Sequence, residues 1–228
     1  MTDEKKRVSE RYDKWTPFYD VVDEFPLISR PQRKWKKIAI EHLDISPGEK
    51  VLDIGTGTGQ ILPWIADNMD RGVLIGTDIS ESMIKHARGK IKEKKEDVEV
   101  KVVYDDIEDS RFPTDFFDKI IATFTFTTIP DFERAIRECK RILKPGGKLI
   151  ILDTGKPDKT YAKPLFYPMM ISAKVFGKTH MDREIKKQFE KYFRVKVIES
   201  YLFNMVYILE CQLLPPKGGS LPLTSSPP

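Results

Sequence analysis

The chain has 228 residues, 40% apolar and 32% charged, which suits one large folded domain or one domain carrying a cap. Against 35 acidic residues stand 39 basic ones, and the net charge of +4 is too small to argue for a nucleic-acid partner. Two cysteines far apart speak against a disulfide scaffold or a zinc site, no apolar run approaches the ~18 residues of a membrane span, and a reducing cytoplasm is expected.

Met1 to Arg11 is charged and lacks the apolar core of a secretion signal. Residues 1–30 mix charge with Tyr12, Trp15, Phe18, Tyr19 and Phe25 and read as an N-terminal lid or helical segment. Helical spacing of Trp35, Ile38, Ala39 and Leu43 predicts a helix over 31–43, with Pro31 near its start. Lys50 to Ile54 is a short apolar strand, followed by a helix over 60–69 with Pro63 in its first turn. A second strand covers 73–77, and Ser80 caps a helix running from Glu81 toward Lys95. Strands follow at 98–103 and 118–124. Asp131 caps a helix ending near Leu143, and Lys144-Pro145-Gly146-Gly147 stops it before a fifth strand over 148–152. This alternation implies a parallel sheet with helices on both faces. Beyond it lie an apolar-aromatic cap insertion over about 154–181, a helix over 182–192, and two runs, 195–202 and 204–211, that can pair as an antiparallel hairpin. The main domain is therefore expected over 31–214. The Pro-, Gly- and Ser-rich stretch 215–228 is expected to be a disordered tail.

The strongest signal is the run from Val51 to Gly59, a strand entering a glycine loop that opens a helix. Glycines let backbone approach a ligand, and the helix start offers unpaired N–H groups. The third glycine arrives one position too early for the dinucleotide spacing, and Gln60 stands where that motif wants glycine. Asp53, two residues before Gly55, suits a ligand ammonium better than a phosphate. Asp78, at the end of the second strand, is placed to accept both ribose hydroxyls of a nucleoside. After strand three, Asp106 and Ile107 can take an adenine, with Asp105 as a solvated neighbour. An amino-acid end, a ribose and an adenine in that order describe S-adenosylmethionine.

Residues 47–153 resemble the class I methyltransferases: VLDIGTGTG stands as the first motif, GTDIS (with Asp78 and Ile79) as the acidic segment after it, then DDIEDSRFPTDFFD and KRILKPGGKLII. The resemblance implies that Gly55, Gly57 and Gly59 line the cofactor, that Asp78 binds its ribose, and that Asp106 and Ile107 hold its adenine. It also implies a Rossmann-like, doubly wound α/β fold, with a seven-stranded sheet that is mostly parallel and has an antiparallel last strand.

Two subfamilies share the resemblance, the ubiquinone/menaquinone C-methyltransferases and the soluble phosphatidylethanolamine N-methyltransferases. Ile151 to Pro157 is similar to the quinone enzymes' segment ending in Lys-Pro, whereas Thr127-Thr128 stand where that group carries Arg-Asn. The apolar run from Tyr161 to Gly177, with Lys163, Lys174 and Lys178 and the basic stretch Arg30 to Lys37, suits a lipophilic acceptor and a peripheral contact with an anionic membrane. A cap over a small soluble metabolite is the alternative. Tyr19, with Tyr12 and Trp15, is a candidate for facing the sulfonium. His180, then Asp153, are candidates for the base that takes the acceptor's proton. A nicotinamide-linked oxidoreductase and a non-catalytic cofactor- or RNA-binding protein are the readings from other classes; no metal is expected.

Overall fold

The computed structural model describes residues 8, 10, 13, 26–91, 96–155, 180 and 183–213. Seven strands make one sheet: β1 (Lys50–Ile54), β2 (Gly72–Asp78), β3 (Val98–Tyr104), β4 (Phe117–Thr123), β5 (Leu143–Thr154), β6 (Phe193–Tyr201) and β7 (Val206–Leu213). Their order is β3-β2-β1-β4-β5-β7-β6. The first five pair in parallel, and β7 lies antiparallel between β5 and β6. The doubly wound, Rossmann-like sheet expected from the strand–helix alternation is therefore present, with its last strand reversed.

The helices are α1 (Pro26–Glu41), α2 (Leu62–Asp67), α3 (Glu81–Lys90), α4 (Phe132–Ile142) and α5 (Ile185–Phe189). Successive strand residues point to opposite faces, so the continuous apolar runs of the central strands supply two cores. On one face Leu52, Ile54, Ile120 and Ile151 meet Ala135, Ile136 and Cys139 of α4, together with Phe189 and Phe193. On the other, Val51, Ile121, Ile150 and Leu152 meet Ala39 and Ile40 of α1, Leu43 in the turn after it, Leu62 and Ile65 of α2, and Ala87 of α3. Burying one such aliphatic side chain is worth about 1.5–3 kcal/mol. Both predicted caps form: Ser80 Oγ accepts from Met83 N at 3.1 Å and Asp131 Oδ1 from Arg134 N at 3.0 Å.

Several boundaries differ from the sequence-based expectation. Helix α1 begins five residues before Pro31, which lies inside it without an N–H for the helical ladder. Packing of the following turns offsets that loss, with Trp35 against Tyr201 at 5.1 Å between ring centroids. Helix α2 is shorter than expected because the loop turns through Gly59, whose carbonyl accepts from Leu62 N at 3.3 Å. Helix α5 spans only 185–189, ending in a turn at 190–192. The hairpin strands sit about two residues away from the expected runs, joined through Leu202, Phe203 and Asn204, all at positive φ (51°, 58° and 64°). The expected lid, cap and tail lie outside the described residues, apart from Val8, Glu10, Asp13, residues 26–30, Thr154, Gly155 and His180. Among the described residues no helix is long and apolar enough to cross a membrane.

Candidate functional site

Chain order reverses between β1 and β4, and at such a switch point the loops leaving neighbouring strands diverge and open a crevice. The pocket lies there, lined by the segments that follow β1, β2, β3 and β4. Gly55 and Gly57 line it at φ +65° and +55°. A Cβ on Gly55 would stand 2.5 Å from Thr125 Cγ2, so the absence of a side chain lets the β4 loop close against the β1 loop. A Cβ on Gly57 would meet nothing within 4 Å; that backbone faces open space. Gly59 has another task. It backs onto Ala87 of α3, which a Cβ would approach to 2.8 Å, and is not among the lining residues.

Asp78 lines the pocket and braces it. Its Oδ2 accepts from Gly57 N at 3.0 Å and its Oδ1 from Ser80 N at 2.9 Å, fixing the glycine loop to the end of β2. Burial raises its carboxyl above the usual range, with the Ser80 and Gly57 amides opposing. Each oxygen accepts more than one hydrogen bond, so two ribose hydroxyls can still be taken. Ile79, Asp106 and Ile107 also line the pocket, and Asp106 Oδ1 holds Glu108 N at 3.0 Å to start a 3-10 turn. Asp105 departs from the sequence expectation of a solvated residue: it is only 6% exposed and its Oδ1 accepts from Arg111 N at 3.1 Å.

Asp53 is fully buried, and neither its carboxylate oxygens nor Thr56 Oγ1 have a hydrogen bond among the described residues. Burial pushes its carboxyl up to about 7, while the nearby Thr56 hydroxyl and Lys36 ammonium pull it down and Asp78 adds to the rise. A buried carboxylate without a partner is costly unless something supplies one. Asp53 lies behind the lining residues rather than among them, and a ligand ammonium beside the glycine loop would compensate it. In the lining itself Asp78, held by two amides, suits a ribose, and Asp106 with Ile107 an adenine, so the residues present fit S-adenosylmethionine.

The two candidate bases lie on the β4 side. Asp153 is fully buried and absent from the pocket lining. Its carboxylate accepts from Thr127 Oγ1 at 3.0 Å, Thr127 N at 3.3 Å and Thr154 N at 2.8 Å. Burial lifts it to about 6 against these bonds. His180 is half-buried and docks its backbone on the same loop, donating from N to Thr127 O at 2.7 Å. Arg183 then closes over that loop, donating to the carbonyls of Phe126 (3.0 Å), Ile129 and Pro130 (3.3 Å), with its guanidinium 5.3 Å from the Phe132 ring. Tyr19 lies outside the described residues.

Sequence reasoning missed Val8, Lys36, Gln60, Thr125 and Arg183. Val8 lines the pocket, and nearby Asp13 accepts from Ser80 Oγ at 2.5 Å. No local spacing announces Val8 in the lining or the Asp13 bond, which spans 67 residues. Lys36 did leave a signal, a charge on the apolar stripe of α1. Among the described residues no cluster suits a metal ion.

Two outcomes follow. Gly57→Ala should fold with a loss of about 1 kcal/mol, from positive φ alone, yet bind S-adenosylhomocysteine at least tenfold more weakly; Gly55→Ala should instead lose the fold's stability first, by several times as much. Calorimetric titration with chemical denaturation separates them. For Asp53 the unfolded chain ionises near 3.8 and the folded state only near 7, so its contribution to stability falls as pH rises through that window. Asp53→Asn should therefore stabilise the ligand-free protein at about pH 8 by on the order of 1–3 kcal/mol, a gain that shrinks toward about pH 4. Thermal melts of both proteins across pH check this, and an Asn variant that melts lower at high pH would contradict it.

The methyltransferase domain family matches residues 52–151. Ubiquinone/menaquinone biosynthesis C-methyltransferase UbiE of Vibrio campbellii is 33% identical over 157 residues, 68% of this chain and 60% of that protein. The chain thus spans about three fifths of that relative's length. Demethylmenaquinone methyltransferase of Listeria welshimeri is 30% identical over 190 residues, 80% of this chain and 79% of the relative. In fold, an S-adenosylmethionine-dependent methyltransferase from Thermotoga maritima superimposes with a TM-score of 0.65 at 20% identity, over 90% of this chain and 99% of that one. The nicotinamide reading of the glycine loop is set aside by these relatives. Sheet order, glycine loop and relatives agree, and the chain belongs to the class I S-adenosylmethionine-dependent methyltransferases.

Proposed function

We propose that this chain binds S-adenosylmethionine and transfers its methyl group to a ring carbon of a reduced, lipophilic quinone. The observation that carries this reading is the kinship with two quinone-methylating relatives, one of them matched over four fifths of both chains. When bound, the cofactor supplies a sulfonium methyl open to in-line displacement, so the protein's work is alignment and exclusion of water. Asp53 faces the ammonium, Asp78 takes the ribose, and Asp106 with Ile107 holds the adenine. The acceptor then lies over the end of β4, against Phe124, Thr128 and Ile129, all of which line the pocket. His180 is the base that takes the quinol proton. Asp153 acts through Thr127, keeping the acceptor loop in place; its three hydrogen bonds support that role over direct proton transfer. Tyr19 is the candidate for facing the sulfonium.

A peripheral contact with an anionic bilayer belongs to the same reading. Arg30, Arg33, Lys34 and Lys37 are exposed on α1, whose Gln32 and Lys36 line the pocket. Trp35 links that helix to the end of β6, and the following turn carries Leu202 and Phe203, each 46% exposed. Basic and apolar groups at the pocket's edge suit a surface from which a lipophilic acceptor is drawn.

Incubation with S-adenosylmethionine and a reduced short-tail demethylated quinone should give the ring-methylated product by mass spectrometry. Methylation of phosphatidylethanolamine in its place would transfer the assignment to the phospholipid subfamily, and turnover of neither by cofactor-binding protein would point to a soluble metabolite. On vesicles, binding should require phosphatidylglycerol, weaken with salt, and drop at least about tenfold in Arg33→Glu/Lys34→Glu, at roughly 1 kcal/mol per basic residue. Equal sedimentation with neutral vesicles would refute the membrane contact.

A further inference from the structure

Helix α1 buries Ala39 and Ile40 against the sheet, and the stripe they form continues one turn back to Lys36. Periodicity calls for an apolar residue there, yet the chain places a lysine, only 8% exposed. Its ammonium does not run out to solvent. Nζ donates to Gln60 Oε1 at 2.5 Å, both residues line the pocket, and the charge is near enough to Asp53 to pull that carboxyl down.

The pocket is also polarised. Asp78, Asp105, Asp106 and Glu108 line its β2 and β3 side, while Lys36 is the only cation among the described lining residues. Sheet order β3-β2-β1-β4 puts adenine over β3 and ribose over β2, which leaves the amino-acid end over β1. Lys36 reaches that point from α1, which packs on α2, β4 and β5. S-adenosylmethionine carries one anionic group, the α-carboxylate, and it lies at that end.

We infer that Lys36 is the residue that reads the cofactor's α-carboxylate, opposite Asp53 on the ammonium, so that this pocket selects a zwitterionic amino-acid end and discriminates against nucleosides lacking one. The inference rests on the methyltransferase reading above. Gln60 presents the lysine and yields its bond as the carboxylate arrives.

The test compares two ligands that share adenosine and a thioether, S-adenosylhomocysteine, which has the amino-acid end, and 5′-methylthioadenosine, which lacks it. In calorimetric titrations Lys36→Met should weaken S-adenosylhomocysteine by about 10–100-fold, as expected for a lost charge-assisted hydrogen bond, and leave 5′-methylthioadenosine within about twofold. Lys36→Gln should show the same split, and Lys36→Arg should recover most of the loss, which separates charge recognition from a folding defect. Unchanged S-adenosylhomocysteine binding by Lys36→Met, or a parallel loss of both ligands, would overturn the inference while leaving the methyltransferase reading intact. Wild-type protein that binds neither ligand would overturn both.

Discussion

The pocket depends on one close approach, Thr125 against Gly55. The Thr125 hydroxyl donates to Ile54 O at 3.1 Å and its methyl occupies the space a side chain on Gly55 would need. Through it the loop after β1 and the loop after β4 become one wall, although 71 residues separate them. Parallel strands bring such loops to a common edge but do not fix their spacing. Here a missing side chain on one loop and a β-branched one on the other set it.

On that wall the electrostatics are deliberately incomplete. Other polar groups are paired: Ser80 and Asp131 cap helices, and Asp153 holds three donors. Asp53 has no hydrogen bond among the described residues, and burial lifts its carboxyl to about 7. A buried acid held at such a cost in folded stability is a pattern common to binding sites. The same sheet thus carries two fully buried acids, Asp153 bonded to the β4 loop and Asp53 without a hydrogen bond among the described residues.

Much of this was legible in the sequence because local chemistry announced it. The glycine loop sits between a strand and a helix, Ser80 and Asp131 precede their helices, and the apolar runs of β1, β4 and β5 suit a sheet covered on both faces. The class of ligand could be read from Asp53, Asp78 and Asp106, which fall at the ends of successive strands. What escaped was set by distant contacts. Asp105 is the local exception: its bond from Arg111 N spans only six residues, but an irregular loop carries no spacing that marks it. Pro31 looked like a helix start because packing of Trp35 on Tyr201 is a tertiary fact. Gly59 was grouped with the other glycines by spacing, yet its neighbour is Ala87 rather than the pocket.

The loop from Thr125 to Asp131 is held by Asp153 from β5, by Arg183 near α5, and by Glu108, whose Oε1 accepts from Asp131 N at 3.0 Å. Most of these bonds end on backbone atoms. The loop's shape is therefore largely independent of the side chain it presents at Ile129, whereas Thr128 Oγ1 helps to hold it by donating to Thr125 O at 2.8 Å. A scaffold of this kind can exchange the side chain at Ile129 over evolutionary time while its backbone stays in place. It offers an engineer the same freedom: the pocket surface can be varied there without rebuilding the wall behind it.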